Sequence, residues 1–152
     1  MIPVPPEADL SLAAPPGPEV TTVVLVDDDA DFRWLVRRCL ERTGEFSIVG
    51  EAADGAAGVE VAAVLRPDLV LLDIDMPRLD GLAALPLVFH RSPWSTVVML
   101  TAMPSGARLD AALRGGAAGI IRKGSSMANM IAQLRGLVGL AQIHEIEIEG
   151  VG

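Results

Sequence analysis

From Thr22 onward the chain alternates short, wholly apolar runs with longer stretches whose apolar residues recur every three or four positions. The first pattern suits strands buried on both faces and the second suits helices with one apolar stripe, so together they predict a parallel sheet wrapped by helices. VVLV (Val23 to Val26) reads as the first strand. Phe32, Leu35, Val36, Cys39 and Leu40 then fall on one helical stripe, which ends near Gly44. FSIVG (Phe46 to Gly50) is a second strand, followed by an Ala-rich helix from about Ala56 to Leu65 that Pro67 stops. DLVLLD (Asp68 to Asp73) is the clearest strand. A third helix spans roughly Leu82 to His90 and contains Pro86, which is expected in its first turn or at a kink. STVVMLT (Ser95 to Thr101), a short helix from Ala107 to Gly115, and AGIIRK (Ala118 to Lys123) continue the alternation. Ser125 or Ser126 is positioned to cap a last helix whose stripe is Met127, Met130, Ile131, Leu134, Leu137 and Val138.

Both ends depart from this pattern. The first twenty residues hold six of the eleven prolines and no period, so residues 1–21 are expected to be a disordered tail. Residues 22–140 form the expected domain. In residues 141–152 the polar and apolar positions alternate as in a strand, yet no partner strand is evident, and this tail stays unassigned.

Composition narrows the class. A chain of 152 residues suits one domain with a real core. Although 51% of residues are hydrophobic, no apolar run approaches the ~18 residues a membrane helix needs, and no basic-then-apolar leader opens the chain. A soluble, cytoplasmic protein without membrane association is expected. One cysteine, Cys39, cannot form an internal disulfide. A net charge of −8 argues against direct nucleic acid binding, because that affinity comes from Lys and Arg displacing counterions.

In open α/β sheets ligands bind beyond the carboxyl ends of the strands, where the strand order reverses. The residues falling there are Asp27 and Asp28 after the first strand, Asp73 after the third, Thr101 after the fourth and Lys123 after the fifth. Three acids, a hydroxyl and an amine would converge. Adjacent carboxylates repel one another, and a divalent cation is what makes such a cluster favourable.

These strings, VLVDDD, PDLVLLDIDMPRLDGL, VVMLTA and GAAGIIRKGSS, together resemble the receiver domain of bacterial two-component response regulators. The resemblance covers about residues 22–140 and four motifs in the right order. It implies a flavodoxin-like, doubly wound five-stranded parallel sheet of order 2-1-3-4-5. It implies Mg²⁺ held by Asp28 directly, Asp27 through water, the phosphoacceptor Asp73, and the main-chain carbonyl of Asp75. Thr101 would turn its hydroxyl to the phosphoryl group and Lys123 would neutralise it, while Ala102 leaves it room. The donor would be a sensor histidine kinase or a phosphotransfer protein. Signalling through the face of helix four, strand five and helix five, including a homodimer there, is the further implication.

Several residues have simpler roles. Asp29 and Asp31 suit a helix cap and first turn, Asp54 and Asp80 precede glycines and suit turns, and Cys39 suits packing. His90 and His144 have no partner spacing and are expected at the surface. Trp34 falls off its helix stripe and should be partly exposed, either as an anchor for a partner or flat over its own helix. Departures from the family pattern are Ile120, where many receivers carry an aromatic switch, Gly124, where a proline usually follows the lysine, and Asp75 and Met103 at two variable positions flanking the site. The Lys-Gly pair resembles receivers that precede helix-turn-helix output domains. A single-domain regulator, or the receiver half of a longer one, is therefore expected. Two rivals are a pseudo-receiver that binds partners without phosphate chemistry, and a haloacid-dehalogenase-type phosphatase imitated by DID (Asp73 to Asp75). The order of motifs speaks against the phosphatase, because its paired acids follow its lysine.

Overall fold

A computed structural model describes the backbone of residues 20–151 and the side chains of residues 20–139. The expected tail at residues 1–21 lies almost wholly outside the described residues. Strands β1 (Thr21–Val26), β2 (Phe46–Ala52), β3 (Leu69–Asp73), β4 (Thr96–Thr101) and β5 (Gly119–Arg122) alternate with helices α1 (Ala30–Arg42), α2 (Gly55–Leu65), α3 (Gly81–Arg91), α4 (Gly106–Arg114) and α5 (Met127–Val151). All strand pairs are parallel, in the order β2-β1-β3-β4-β5. The order reverses between β1 and β3, which opens a crevice at their carboxyl ends.

Side-chain parity divides the core. Val23 and Leu25 of β1, Leu69 and Leu71 of β3, and Val98 and Leu100 of β4 pack with Val36 and Leu40 of α1 and Met130 and Leu134 of α5. Their neighbours Val24, Val26, Val70, Leu72, Val97 and Met99 pack with Val59 and Ala62 of α2, Ala84, Leu85 and Val88 of α3, and Ala112 of α4. Every residue of β3 is buried, as a central strand with helices on both faces requires.

The elements start on side-chain caps. Asp29 accepts from the Asp31 and Phe32 amides, Asp54 from Ala57, Asp80 from Ala83, Ser105 from Arg108 and Ser126 from Asn129. The Asp-Gly pairs thus begin helices. Gly81 is the tightest of these starts: a Cβ there would lie 2.1 Å from the Asp73 carbonyl oxygen, and the Gly81 amide donates to the Ile74 carbonyl at 3.0 Å. Only glycine lets α3 begin directly against the backbone that carries Asp73.

The sheet ladder runs one step past several strands. The amide of Asp27 donates to the Ala52 carbonyl at 3.0 Å, that of Ile74 to Leu100 at 2.9 Å, and that of Lys123 to Thr101 at 2.8 Å.

Three details differ from the periodic reading. Leu35 is 41% exposed because the buried line of α1 runs through Val36 and Leu40, leaving Leu35 and the partly covered Cys39 on its flank. Pro86 lies in the second turn of α3, on its exposed side. The strand-like alternation after Leu140 continues as helix in α5. A helix already nucleated extends at little cost, whereas an isolated strand has no ladder to join. Among the described residues no helix is long and apolar enough to cross a membrane.

Candidate functional site

Strand parity and the ladder bring four of the six singled-out residues to one point. Asp27, Asp28 and Asp73 present carboxylate oxygens that all lie within 4.8 Å of one another. Asp27 and Asp73 are buried and Asp28 stands exposed at the rim. Lys123, one residue past β5, places Nζ 2.5 Å from Asp27 Oδ2 and 3.1 Å from Asp73 Oδ2. Its ammonium also sits over the Phe32 ring, 4.6 Å from the centroid, so α1 supplies a floor for the cation.

The two buried acids are held alike. Asp27 Oδ1 accepts the Asp29 amide at 2.9 Å, and Asp73 Oδ1 accepts the Asp75 amide at 3.1 Å. The remaining oxygens, both Oδ2, are buried and face the Lys123 ammonium. One ammonium serves both oxygens, so it offsets only part of the charge gathered there. Three carboxylates facing one ammonium leave about two negative charges uncompensated, with buried oxygens turned inward. This donor set fits a hard divalent cation, which takes oxygen ligands and the charge of several carboxylates.

Electrostatics follow from this crowding. Burial, and then the neighbouring Asp27 charge, push the Asp73 carboxyl up to about 6 despite the opposing pull of Lys123. Burial disfavours the Lys123 ammonium, but its hydrogen bond to Asp27 and the charges of Asp27 and Asp73 outweigh that and hold its pKa above the usual lysine value. Arg33 ties the end of β1 by donating from Nη1 to the Asp27 carbonyl while its Nε bridges Glu51 at 2.9 Å.

Thr101 and Asp75 form a second group beside the first. The buried Thr101 hydroxyl donates to Asp75 Oδ2 at 3.1 Å and accepts from the Met103 amide at 3.0 Å and from Arg108 Nη1 at 2.9 Å. Arg108 Nη2 bridges Asp75 Oδ1 at 2.8 Å. This hydrogen-bonded pairing with Arg108 holds the Asp75 carboxyl below the usual range against the opposing effect of burial. The Asp75 carboxylate is therefore turned to Thr101 and Arg108, outside the three-acid group, and leaves its main-chain carbonyl as what it can offer a metal.

Arg108 is the participant that periodicity did not single out. A signal was available: it lies three residues after the Ser105 cap, in the first turn of α4, where the helix dipole disfavours a cation. A basic residue at that place needs a specific acid. Trp34 is 60% exposed, with the Arg38 guanidinium 5.1 Å above its ring. Met103 is exposed and Ile120 half-buried against the α2–α4 side of the sheet.

A family model described as response regulator receiver domain matches residues 23–135. The chain is 38% identical over 95 residues to a protein-glutamate methylesterase/protein-glutamine glutaminase of Maricaulis maris (strain MCS10), covering 62% of this chain and 24% of that protein. It spans about a quarter to a third of the length of the first curated relatives it matches. The signal receiver domain of NarL from Mycobacterium tuberculosis superposes with a TM-score of 0.75 at 34% identity, covering 80% of this chain and 98% of that one. The response regulator domain of Thermotoga maritima CheB gives 0.73 at 30% identity over 80% of this chain and 98% of that one.

Proposed function

The chain belongs to the response regulator receiver family, and from that premise we propose that it accepts a phosphoryl group on Asp73 from a phosphohistidine, in the presence of Mg²⁺, and passes the signal on by protein contacts. The observation that carries this reading is the gathering of Asp27, Asp28 and Asp73, whose carboxylate oxygens lie within 4.8 Å of one another, beside the single ammonium of Lys123. A carboxylate oxygen of Asp73 attacks phosphorus, the P–O bond forms as the P–N bond breaks, and the imidazole leaves with the electron pair. The Asp75 amide on Oδ1 fixes the nucleophile, and Lys123 offsets charge that the incoming phosphoryl oxygens add. Asp27, Asp28, Asp73 and the main-chain carbonyl of Asp75 would hold Mg²⁺, which when bound supplies positive charge against the transferring phosphoryl group. Leu109 and Leu113 stand exposed on α4, the helix that packs beside β5, and offer apolar surface to a partner. A kinase, a phosphotransfer protein or a second copy of the chain are the partners this reading implies.

Incubation with acetyl phosphate and Mg²⁺ should add one phosphoryl group to the intact mass, and Asp73→Asn should abolish the addition. Unchanged mass in the wild-type protein favours a pseudo-receiver, and rapid turnover of many phosphoesters favours a phosphatase.

A pH dependence follows from the same carboxyl. A proton and Mg²⁺ compete for Asp73, whose pKa is pushed up to about 6. Above that pH the carboxylate is free and Mg²⁺ affinity should be level; below it, affinity should fall by up to about tenfold per pH unit. Calorimetric Mg²⁺ titrations from pH 5 to 8 in buffers of different ionisation enthalpy should also detect proton release near pH 6. A flat profile without proton release contradicts the assignment of Asp73 as a ligand.

A further inference from the structure

We propose that the Asp75 carboxylate is a resident stand-in for the phosphoryl group: in the resting protein it holds the Thr101 hydroxyl and the Arg108 guanidinium, the two donors that a phosphorylated Asp73 then draws away from it. This deepens the phosphoacceptor reading and depends on it. Arg108 and Asp75 are thereby positioning residues, acting through Thr101.

The hydrogen-bond inventory carries the argument. A threonine hydroxyl has one proton and two acceptor sites. In this protein the proton goes to Asp75 Oδ2, and the Met103 amide and Arg108 Nη1 occupy both acceptor sites. The hydroxyl is saturated and fully engaged away from Asp73. It can serve a phosphoryl group only by leaving Asp75.

Arg108 is committed in the same way, with Nη2 on Asp75 Oδ1 and Nη1 on Thr101. Its place in the first turn of α4 opposes the helix dipole, so the local negative charge is what keeps it there. Its pKa is raised first by the hydrogen bond to Asp75, with the charges of Asp80 and Asp73 adding to the effect after burial has opposed it.

Phosphorylation turns the singly charged Asp73 carboxylate into an acyl phosphate carrying about −2, a net gain of about one negative charge, and brings three acceptor oxygens two residues away in the chain. A planar guanidinium matches two phosphoryl oxygens as well as it matches a carboxylate, and the greater charge favours the phosphoryl group. Because Arg108 follows the Ser105 cap, the exchange of partner acts on the start of α4 itself. The aromatic switch that Ile120 cannot provide is then replaced by a polar one.

The test uses beryllofluoride with saturating Mg²⁺ as the phosphoryl probe, titrated calorimetrically into the full chain. Asp75→Ala should bind it roughly tenfold tighter, because both donors are released, and Arg108→Gln roughly tenfold weaker. Both side chains are about one-third exposed (32% for Arg108, 39% for Asp75), so folding should survive, and thermal melts verify it. The charge of Asp75 alone could also repel the probe. A background of Thr101→Val with Arg108→Gln separates the two causes: the gain from Asp75→Ala should vanish there. Persistence of the gain, or variants within twofold of wild type, overturns the inference while leaving the phosphoacceptor reading intact. A wild-type protein that takes neither beryllofluoride nor a phosphoryl group overturns both.

Discussion

Lys123→Ala should lower the stability of the metal-free protein at pH 7.5 by about 3–5 kcal/mol, the usual cost of removing one partner from a buried ion pair. The substitution removes the ammonium that lies against Asp27 Oδ2 and Asp73 Oδ2 and leaves two almost wholly buried carboxylates facing each other. The loss should depend on pH in a definite direction. Burial and the Asp27 charge push the Asp73 carboxyl up to about 6 in the folded protein, above its ordinary value of 3.8, so the folded state binds that proton more tightly than the unfolded chain. Its unfavourable contribution is therefore absent below the ordinary value, grows as pH rises, and is complete above the folded value. Without Lys123 the folded value moves higher still, because two of the influences that lower it are gone. Thermal melts should show the variant far closer to wild type at pH 5 than at pH 7.5, with Mg²⁺ recovering part of the difference at the higher pH. A pH-independent loss, or melting temperatures equal at pH 7.5, would show that the ammonium does not neutralise this pair.

Among the described glycines, Gly81→Ala should be the most damaging addition of a single methyl group. Helix propensity alone favours alanine over glycine by about 1 kcal/mol. Against that, the added Cβ would meet the Asp73 carbonyl oxygen at 2.1 Å and the carbonyl carbon and Ile74 Cα at 2.8 Å. These are backbone atoms and cannot rotate aside, so β3 or the start of α3 must move. Overpacking of this kind costs about 1–3 kcal/mol and at times more, which exceeds the propensity gain. The movement falls on the peptide that carries Asp73, and a misplacement near 1 Å can reduce a reaction rate roughly 100-fold. The expected result is a melting temperature lowered by several degrees with phosphorylation by acetyl phosphate slowed at least tenfold. A variant that melts and reacts like wild type would mean that the α3 start yields easily.

The fold was legible because its central strands are apolar on both faces and its helices on one, and no other layering covers both patterns. β3 is the clearest example, with LVLLD buried throughout. The three acids and Lys123 were legible because a strand's carboxyl end is a fixed place in such a sheet, so position along the chain translates into position in space. Arg108 was not, since its role depends on the approach of α4 to Asp75, a contact between residues 33 positions apart in sequence that no local period records. Leu35 shows a related limit: a stripe of five apolar residues is wider than the surface it meets, and the flank remains in water. The alternation after Leu140 looked like a strand because period alone carries no information on whether a helix already precedes it.

The ladder bonds that continue beyond the strands impose a division of labour on the crevice. The main chain at Asp73 and Lys123 is stapled to its neighbours, Ile74 to Leu100 and Lys123 to Thr101, at the very residues that carry the charge. A foundation held this firmly has little freedom to relay a disturbance by shifting. The segments just past the staples are held instead by side chains of the crevice itself, the Asp75 amide by Asp73 Oδ1 and the Met103 amide by Thr101 Oγ1, so news arriving at those side chains reaches these two loops first.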